Sequence, residues 1–173
     1  MGSFDVLIPE GEIRLKVEAL AQEIRKDFQG KETAVVGVLK GAFVFMADLV
    51  RKLELPHTCE FLRVSSYKNN KSTGSVKVEF DLSESIEGKH VLLVEDIIDT
   101  GRTIRFLIDH LKSKKPASVK VCTLLYKEID PTVKKLIDYI GFEIPNEYAV
   151  GYGMDDAGLY RSLPYIGIKR GGP

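Results

Sequence analysis

The sequence of 173 residues predicts an α/β fold, in which a mostly parallel central sheet is flanked by helices on both faces. Two short apolar runs, Thr33–Leu39 and His90–Ile98, are typical of strands that are buried on both faces. Apolar residues recur at helical spacing over 10–29, before the first run, and over 103–112, after the second. Because 44% of the residues are hydrophobic, a single domain spanning residues 1–173 can bury a substantial core.

The other elements follow from their own spacing. A second helix over 42–53 places apolar residues at helical intervals and ends before Pro56. Apolar and polar residues alternate over 76–82, which predicts a half-exposed antiparallel strand. The polar stretch 67–75 has no period and is predicted to be a mobile loop. The remaining predictions are strands at 60–67, 118–126 and 148–152 and a short helix within 131–140.

Composition and charge limit the class of protein. Lys+Arg and Asp+Glu both number 25, so the chain lacks the basic excess that is typical of a duplex nucleic-acid binder. The N-terminus has no signal-peptide pattern, and no apolar run reaches membrane-spanning length. Cys59 and Cys122 lie inside apolar strand patterns and are predicted to be buried, reduced thiols. We therefore expect a soluble cytoplasmic protein that binds neither nucleic acid nor membranes.

The strongest chemical signal is the segment from Val91 to Thr103, VLLVEDIIDTGRT. An apolar strand runs into the adjacent acids Glu95 and Asp96, and Asp99 follows just before a hydroxyl-rich turn that opens a helix. Carboxylates accept hydrogen bonds from hydroxyls or hold a divalent cation such as Mg²⁺, and a turn at a helix N-terminus binds phosphate through its N–H groups. The segment therefore predicts a ligand that carries both vicinal hydroxyls and a phosphate.

Polar residues at other strand ends are expected beside this segment. Ligands of open parallel sheets bind beyond the carboxyl ends of the strands. Lys40, Tyr67 and Lys127 fall at such predicted ends, as the acid pair does. We expect these side chains to converge on one rim of the sheet, although they are far apart in sequence.

These motifs resemble those of the purine phosphoribosyltransferases, and of the hypoxanthine–guanine branch in particular. The segment 91–103 has the form of that family's phosphoribosyl pyrophosphate signature. The resemblance extends over most of the chain. It includes a pyrophosphate loop at 38–41, the start of a catalytic loop at 65–67, a purine-recognition strand at 124–127 and a C-terminal hood at 148–155 and 160–167.

The resemblance implies a purine-salvage enzyme. Its reaction would be the Mg²⁺-dependent transfer of a phosphoribosyl group from 5-phosphoribosyl 1-pyrophosphate to N9 of hypoxanthine or guanine, with release of pyrophosphate. The resemblance also implies a hood built from the N-terminal segment and about 145–173, a flexible lid at about 66–76 and a cis peptide between Leu39 and Lys40. Its partners would be these small-molecule substrates and further copies of the chain, in a homodimer or homotetramer.

For the sugar diphosphate, the resemblance implies separate contacts to each part. Glu95 and Asp96 would hold the ribose hydroxyls, directly or through Mg²⁺. Asp155 would help to hold a second Mg²⁺ through water. The 5′-phosphate would be surrounded by Asp99, Thr100, Gly101, Arg102 and Thr103, and the pyrophosphate would be bound by Lys40, Gly41 and Arg161.

For the purine, the resemblance implies a hydrogen-bond donor, a stacking partner and a base. Lys127 would donate to the 6-oxo group, and Asp99 would lie near N7 as the catalytic residue that takes or shares its proton. Ser66 and Tyr67 would contact the substrates from the lid. Around the ring, Tyr148 would stack on one face with Ile97 on the other, and the carbonyls of Ala149 and Asp155 would read the 2-position.

Several alternatives stay open at this point. A lysine donor accepts any 6-oxo base, so a xanthine-accepting transferase also fits, whereas the amino group of adenine is disfavoured. A nucleic-acid-binding regulator that retains the fold would belong to a different class, and it would need a basic face that the neutral composition does not provide. Asp99 could also simply cap the helix that opens near Thr100.

Overall fold

A central six-stranded sheet organises the computed structural model, which describes residues 4–66 and 76–169. In chain order, the elements are β1 (Phe4–Ile8), α1 (Glu10–Phe28), β2 (Thr33–Leu39), α2 (Phe43–Leu53), β3 (Thr58–Ser66), β4 (Val76–Phe80), β5 (His90–Ile98), α3 (Arg102–Ser113), β6 (Ser118–Lys127), α4 (Pro131–Lys134), β7 (Tyr139–Ile144), β8 (Ala149–Val150) and β9 (Ile166–Lys169). The order of strands in this sheet is β4-β3-β2-β5-β6-β7. All neighbours are parallel except β3 and β4, which pair antiparallel. The predicted α/β class is confirmed.

Two apolar layers hold the helices on this sheet. On one face, α1 and α2 bury Val17 and Leu49 in the same layer as Leu92 of β5. On the other face, α3 buries Leu107 in the same layer as Leu93. Successive residues of β5 thus face opposite layers, and each buried leucine contributes roughly 1.5–3 kcal/mol to folding. Within the described ranges, no helix is both long and apolar enough to cross a membrane.

A second, three-stranded sheet is built from distant parts of the chain. Its order is β1-β9-β8, and both pairings are antiparallel. Phe4 lies opposite Lys169, and Ala149 lies opposite Ile168. We call β1, β8 and β9 the small sheet. Because β9 is its middle strand, neither β1 nor β8 has a pairing partner in this sheet without it.

The predicted elements of the central sheet agree well with the structure, and the later elements agree less well. Strands β2 and β5 have the predicted bounds, and β5 is central. The helix predicted within 131–140 is wrong beyond Lys134, because Tyr139–Ile144 pairs with β6 as an edge strand. The strand predicted at 148–152 is reduced to Ala149–Val150, which belongs to the small sheet. Strands β1 and β9 have no counterpart among the predicted elements.

The two cysteines differ in burial. Cys122 is buried as predicted, whereas Cys59 is exposed, so that prediction is wrong. Cys59 lies near the start of β3 and shares a face with Phe61, which is 37% exposed. An apolar strand pattern does not show which part of a face the neighbouring helix covers, and here that face of β3 is left partly open.

Candidate active site

The carboxyl ends of β2, β5 and β6 meet at one rim of the central sheet, where a cleft of about 340 Å³ opens. Since these strands are parallel neighbours, the residues that follow them are brought together. The cleft is lined by Lys40, Gly41, Asp96, Ile97, Lys127, Tyr148, Ala149, Met154, Asp155 and Arg161. All of these except Met154 belong to the predicted set. Met154 is an apolar residue in a turn, and nothing in its sequence context distinguishes it from a core residue.

The acid pair near the end of β5 is shielded from water. Glu95 is 6% exposed, and Asp96 is half-buried beside it. Burial raises the pKa of Glu95 well above its usual range, and the adjacent Asp96 carboxylate adds to the shift. Burial also raises the pKa of Asp96. Two such carboxyls side by side are stabilised by hydroxyl donors or by a divalent cation.

The loop after β2 approaches this acid pair closely. A Cβ on Gly41 would overlap the Asp96 carboxylate, so only glycine permits the approach. The bond between Leu39 and Lys40 is a cis peptide, as predicted. Lys40 and Lys127 both line the cleft, and within residues 4–66 and 76–169 the ammonium group of neither side chain forms a hydrogen bond or ion pair. Two cations are thus available to a ligand.

The turn 99–103 continues from the acid pair and opens α3, although it lies outside the lining of this cleft. Gly101 has φ 76°, and a Cβ there would overlap Val133 of α4, so the turn is packed against a neighbouring helix. Of the other predicted residues in the turn, Thr100 and Arg102 are exposed and Thr103 is half-buried.

Two polar features of this turn are not satisfied by the residues that the structure describes. Over residues 4–66 and 76–169, no side chain caps α3, and the buried Oδ1 atom of Asp99 has no hydrogen-bond partner. The structure therefore does not use Asp99 as a helix cap. Without a side-chain cap, the first N–H groups of α3 and the positive end of its dipole favour an anion.

On the opposite side of the cleft, the polar groups are bonded to one another. The Tyr148 ring is 54% exposed, and its hydroxyl donates to the Asp155 carbonyl at 3.0 Å. The Asp155 carboxylate pairs with Arg161 at 2.5 Å and accepts from Gly158 N at 2.7 Å. Arg161 also donates to the Gly153 carbonyl at 2.6 Å. A pyrophosphate or cation that binds here would share or replace these contacts.

The residues fit Mg²⁺ as a cation shared with a substrate. Among the described residues, no group of three His, Cys, Asp or Glu side chains is close enough to hold a metal, so Glu95, Asp96 and Asp155 do not form one cluster. Mg²⁺ is commonly bound by one or two carboxylates together with substrate phosphates, and it keeps several waters. The shielded pair Glu95 and Asp96 matches that donor set.

A larger cleft of about 960 Å³ lies between α1, α2 and residues 161–164 and shares Arg161 with the smaller one. None of the residues at the carboxyl ends of β5 or β6 lines it, so the smaller cleft is the candidate site. Of the predicted lid contacts, Tyr67 lies outside the described residues, as does the rest of 67–75, and only the backbone of Ser66 is described.

Comparison with known proteins identifies the family. Residues 9–157 match the phosphoribosyl transferase domain. A hypoxanthine phosphoribosyltransferase of Salmonella typhimurium is 44% identical over 166 residues, covering 94% of this chain and 93% of that protein. A bifunctional protein TilS/HprT of Listeria monocytogenes is 48% identical over 95% of this chain, which spans 26% of that relative's length. A solved hypoxanthine-guanine phosphoribosyltransferase from Bacillus anthracis is 46% identical, with a TM-score of 0.88 and coverage of 96% of this chain and 99% of that one.

A mostly parallel sheet with acids and an uncapped helix N-terminus at its carboxyl rim is typical of α/β proteins that bind phosphorylated ligands at strand ends. Within that class, the chain belongs to the phosphoribosyltransferase family, as the resemblance of the segment 91–103 predicts.

Proposed function

We propose that the chain transfers the phosphoribosyl group of 5-phosphoribosyl 1-pyrophosphate to N9 of hypoxanthine or guanine, forming IMP or GMP and pyrophosphate. The observation that carries the proposal is that the chain runs directly from the acid pair, whose Asp96 lines the cleft, into the uncapped turn 99–103 that opens α3. One continuous segment can then bind both ends of a phosphorylated ribose. The names of the enterobacterial and Bacillus relatives support a 6-oxopurine as the acceptor.

The sugar would be held from two sides. Glu95 and Asp96 would accept hydrogen bonds from the ribose hydroxyls, which relieves their mutual repulsion. The N–H groups and hydroxyls of 99–103 would bind the 5′-phosphate at the start of α3, where the helix dipole favours negative charge. Fixing both ends of the ribose orients C1′ toward the base.

The purine would lie between Lys127 and the exposed ring of Tyr148. Lys127 would donate to the 6-oxo oxygen, and Tyr148 and Ile97 would contact opposite faces of the ring. As the N9–C1′ bond forms and the C1′–oxygen bond to pyrophosphate breaks, the base loses a proton. The unpartnered Asp99 Oδ1 atom supports Asp99 as the group that accepts this proton at N7.

The departing pyrophosphate would be bound by Lys40, the Gly41 backbone and Arg161. Their charge stabilises the negative charge that develops as the C1′–oxygen bond breaks. When held by Glu95 and Asp96, or by Asp155, Mg²⁺ would offset the negative charge of the pyrophosphate. When pyrophosphate binds, Arg161 would give up part of its contact with Asp155 and contact the pyrophosphate in its place.

The proposal is tested by product formation with hypoxanthine, guanine, xanthine and adenine side by side. We expect turnover of hypoxanthine and guanine, at least about 100-fold lower kcat/KM with adenine, and loss of activity in chelator that Mg²⁺ restores. Adenine turnover equal to that of hypoxanthine, or full activity in chelator, would contradict the proposal. Xanthine turnover equal to that of hypoxanthine would favour the xanthine-accepting alternative.

A matched pair of variants tests the role of Lys127. Lys127→Met should raise the KM for the base about 10- to 100-fold, because it removes a charged hydrogen-bond donor, and should leave the KM for the sugar diphosphate within about twofold. Lys120→Met is the control, because Lys120 lies on the same strand but does not line the cleft. Its ammonium group pairs with Asp27 at a distance of 2.7 Å. Equal effects of Lys127→Met on both substrates would remove Lys127 from the base site.

We also propose a homo-oligomer in the cytoplasm. Exposed Phe43 and Phe61 support an interface with another copy of the chain, and the free thiols of Cys59 and Cys122 support a reducing compartment. Light scattering of the purified protein would measure the number of subunits, and a monomer at micromolar concentration would contradict the first of these proposals.

A further inference from the structure

Tyr152 lies in the turn that follows β8 and contacts helix α2. It is 7% exposed, and its backbone has φ 49°, a left-handed conformation that is unfavourable for a residue other than glycine. Its hydroxyl donates to Asp48 Oδ2 at 2.5 Å. Burial, and then this hydrogen bond, raise the pKa of Tyr152, so the phenol remains a donor.

The turn around Tyr152 is tied to the segment that carries Arg161. The backbone N of Tyr152 donates to the Leu163 carbonyl at 2.8 Å, and Gly153 N donates to the Arg161 carbonyl at 2.9 Å. The Arg161 guanidinium donates back to the Gly153 carbonyl at 2.6 Å. The position of Arg161 is therefore coupled to that of Tyr152.

The same turn packs on the loop after β2. A Cβ on Gly153 would overlap the Gly41 carbonyl. The Lys40–Gly41 loop leads directly into α2, which carries Asp48. The contact between Tyr152 and Asp48 therefore closes a ring of contacts that runs from the loop along α2, across to the turn, and back to the loop.

We propose that Tyr152 is a positioning residue whose hydroxyl, held by Asp48, fixes the 151–154 turn against the Lys40–Gly41 loop and so sets the geometry of the pyrophosphate end of the cleft. This role rests on the proposed function, because it assumes that Lys40, Gly41 and Arg161 bind pyrophosphate. Tyr152 itself does not line the 340 Å³ cleft, so it would act through Gly153 and Arg161.

The chain supplies a matched control for this contact. Tyr139 is 3% exposed, and its hydroxyl donates to Asp27 Oδ2 at 2.5 Å, the same distance as in the Tyr152 contact. It joins α1 to β7, and neither Tyr139 nor Asp27 lines the cleft. If a buried tyrosine–aspartate hydrogen bond acts only by stabilising the fold, its loss should therefore affect the protein equally in Tyr139→Phe and in Tyr152→Phe.

The experiment compares these two variants with the unmodified chain in steady-state kinetics and in calorimetric titration with magnesium pyrophosphate. We expect Tyr152→Phe to raise the KM for the sugar diphosphate and the Kd for pyrophosphate about 5- to 20-fold, with the KM for the base within twofold. Tyr139→Phe should leave all three constants within twofold. If Tyr152→Phe changes none of them, or changes the constants for base and sugar diphosphate equally, the positioning role is overturned.

Variants of the acceptor provide a second test. Asp48→Asn keeps an oxygen that can accept from Tyr152, whereas Asp48→Ala does not, so the amide should restore most of the pyrophosphate affinity that alanine loses. Because Asp48 also pairs with Arg51, Arg51→Ala measures that contribution separately and should leave the affinity within twofold. Equal affinities of Asp48→Ala and the unmodified chain would overturn the role. If the unmodified chain turns over no base at all, the proposed function itself fails.

Discussion

The turn 99–103 and the wall of the cleft that carries Tyr148, Asp155 and Arg161 differ in how far their polar groups are paired. On the turn side, Asp99 Oδ1 is buried without a partner and α3 has no side-chain cap, within the described ranges. On the other side, Tyr148, Asp155 and Arg161 satisfy one another through hydrogen bonds and an ion pair. Unsatisfied buried groups are costly unless a ligand pairs with them, so in the proposed function the turn would bind its ligand without first breaking contacts of its own. The other side would have to exchange contacts when the proposed ligand binds.

The largest effect is expected on the turn side. Asp99→Asn removes the proposed proton acceptor and should lower kcat about 10²- to 10⁴-fold, with the KM for the sugar diphosphate changed less than about threefold. Steady-state kinetics at saturating base would measure the change. Asp109→Asn is the control, because Asp109 is exposed on α3 and lies away from the turn. An unchanged kcat in Asp99→Asn would show that the unpaired oxygen has no part in the chemistry.

A smaller effect is expected on the opposite side, where contacts are already satisfied. Tyr148→Ala removes a ring that is proposed to stack on the purine and should raise the KM for the base about 10- to 100-fold. Tyr148→Phe keeps the ring and removes only the hydroxyl that donates to Asp155, so the KM for the base is expected to rise about two- to fivefold. If both variants raise the KM equally, the hydroxyl contact and not the ring determines base affinity.

The smallest effect concerns the other end of α3, where polar groups are paired. Asp81 accepts from His110 at 3.0 Å, Lys114 at 2.7 Å and Leu82 N at 2.8 Å. Burial opposes ionisation, but these hydrogen bonds outweigh it and lower the pKa of Asp81 to about 2. Because the folded-state pKa lies below the unfolded-state value, this contribution to stability is complete above about pH 4 and is lost as the pH falls toward 2.

Asp81→Asn should therefore lower the free energy of unfolding by about 1 kcal/mol at pH 7, a reduced figure because 36% of the Asp81 side chain is exposed and solvent screens the contact. Denaturant unfolding from pH 7 to pH 2 should show the two proteins converging below pH 4. Kinetic constants at pH 7 should be unchanged, since the contact is distant from the cleft. A constant difference at every pH would contradict the charge-based explanation.

Local patterns predict the parts of this molecule that depend on neighbours in sequence. The bounds of β2 and β5 follow from continuous apolar runs, and the residues at the strand ends converge because parallel strands share a rim. Local patterns do not predict β1 or β9, because their pairing joins segments that are far apart in sequence, and a hood of the N-terminal segment and about 145–173 is implied only by the family resemblance. Strand β7 is not predicted either, because it is an edge strand in which burial does not alternate regularly from end to end. A Cβ on its Gly141 would overlap the Leu124 carbonyl, a contact with the neighbouring strand that the sequence does not reveal.

At the candidate site, residue type and strand-end position predict Lys40, Asp96 and Lys127, and the family resemblance implies most of the remaining lining, but neither predicts how the lining residues pair with one another. The ion pair between Asp155 and Arg161 joins two side chains that were assigned to separate ligands. The Tyr152 contact with Asp48 joins a turn to a helix that sequence spacing does not relate. No local pattern of the sequence encodes either of these contacts.

The order of strands in the small sheet also bears on synthesis of the protein. All six strands of the central sheet have been made once residue 144 has left the ribosome. The middle strand of the small sheet, residues 166–169, emerges only afterwards, and until then β1 and β8 have nothing to pair with in that sheet. A nascent chain can therefore fold its central sheet before the wall of the cleft that carries Ala149 is complete, and we expect it to gain substrate affinity only after residues 166–169 have emerged.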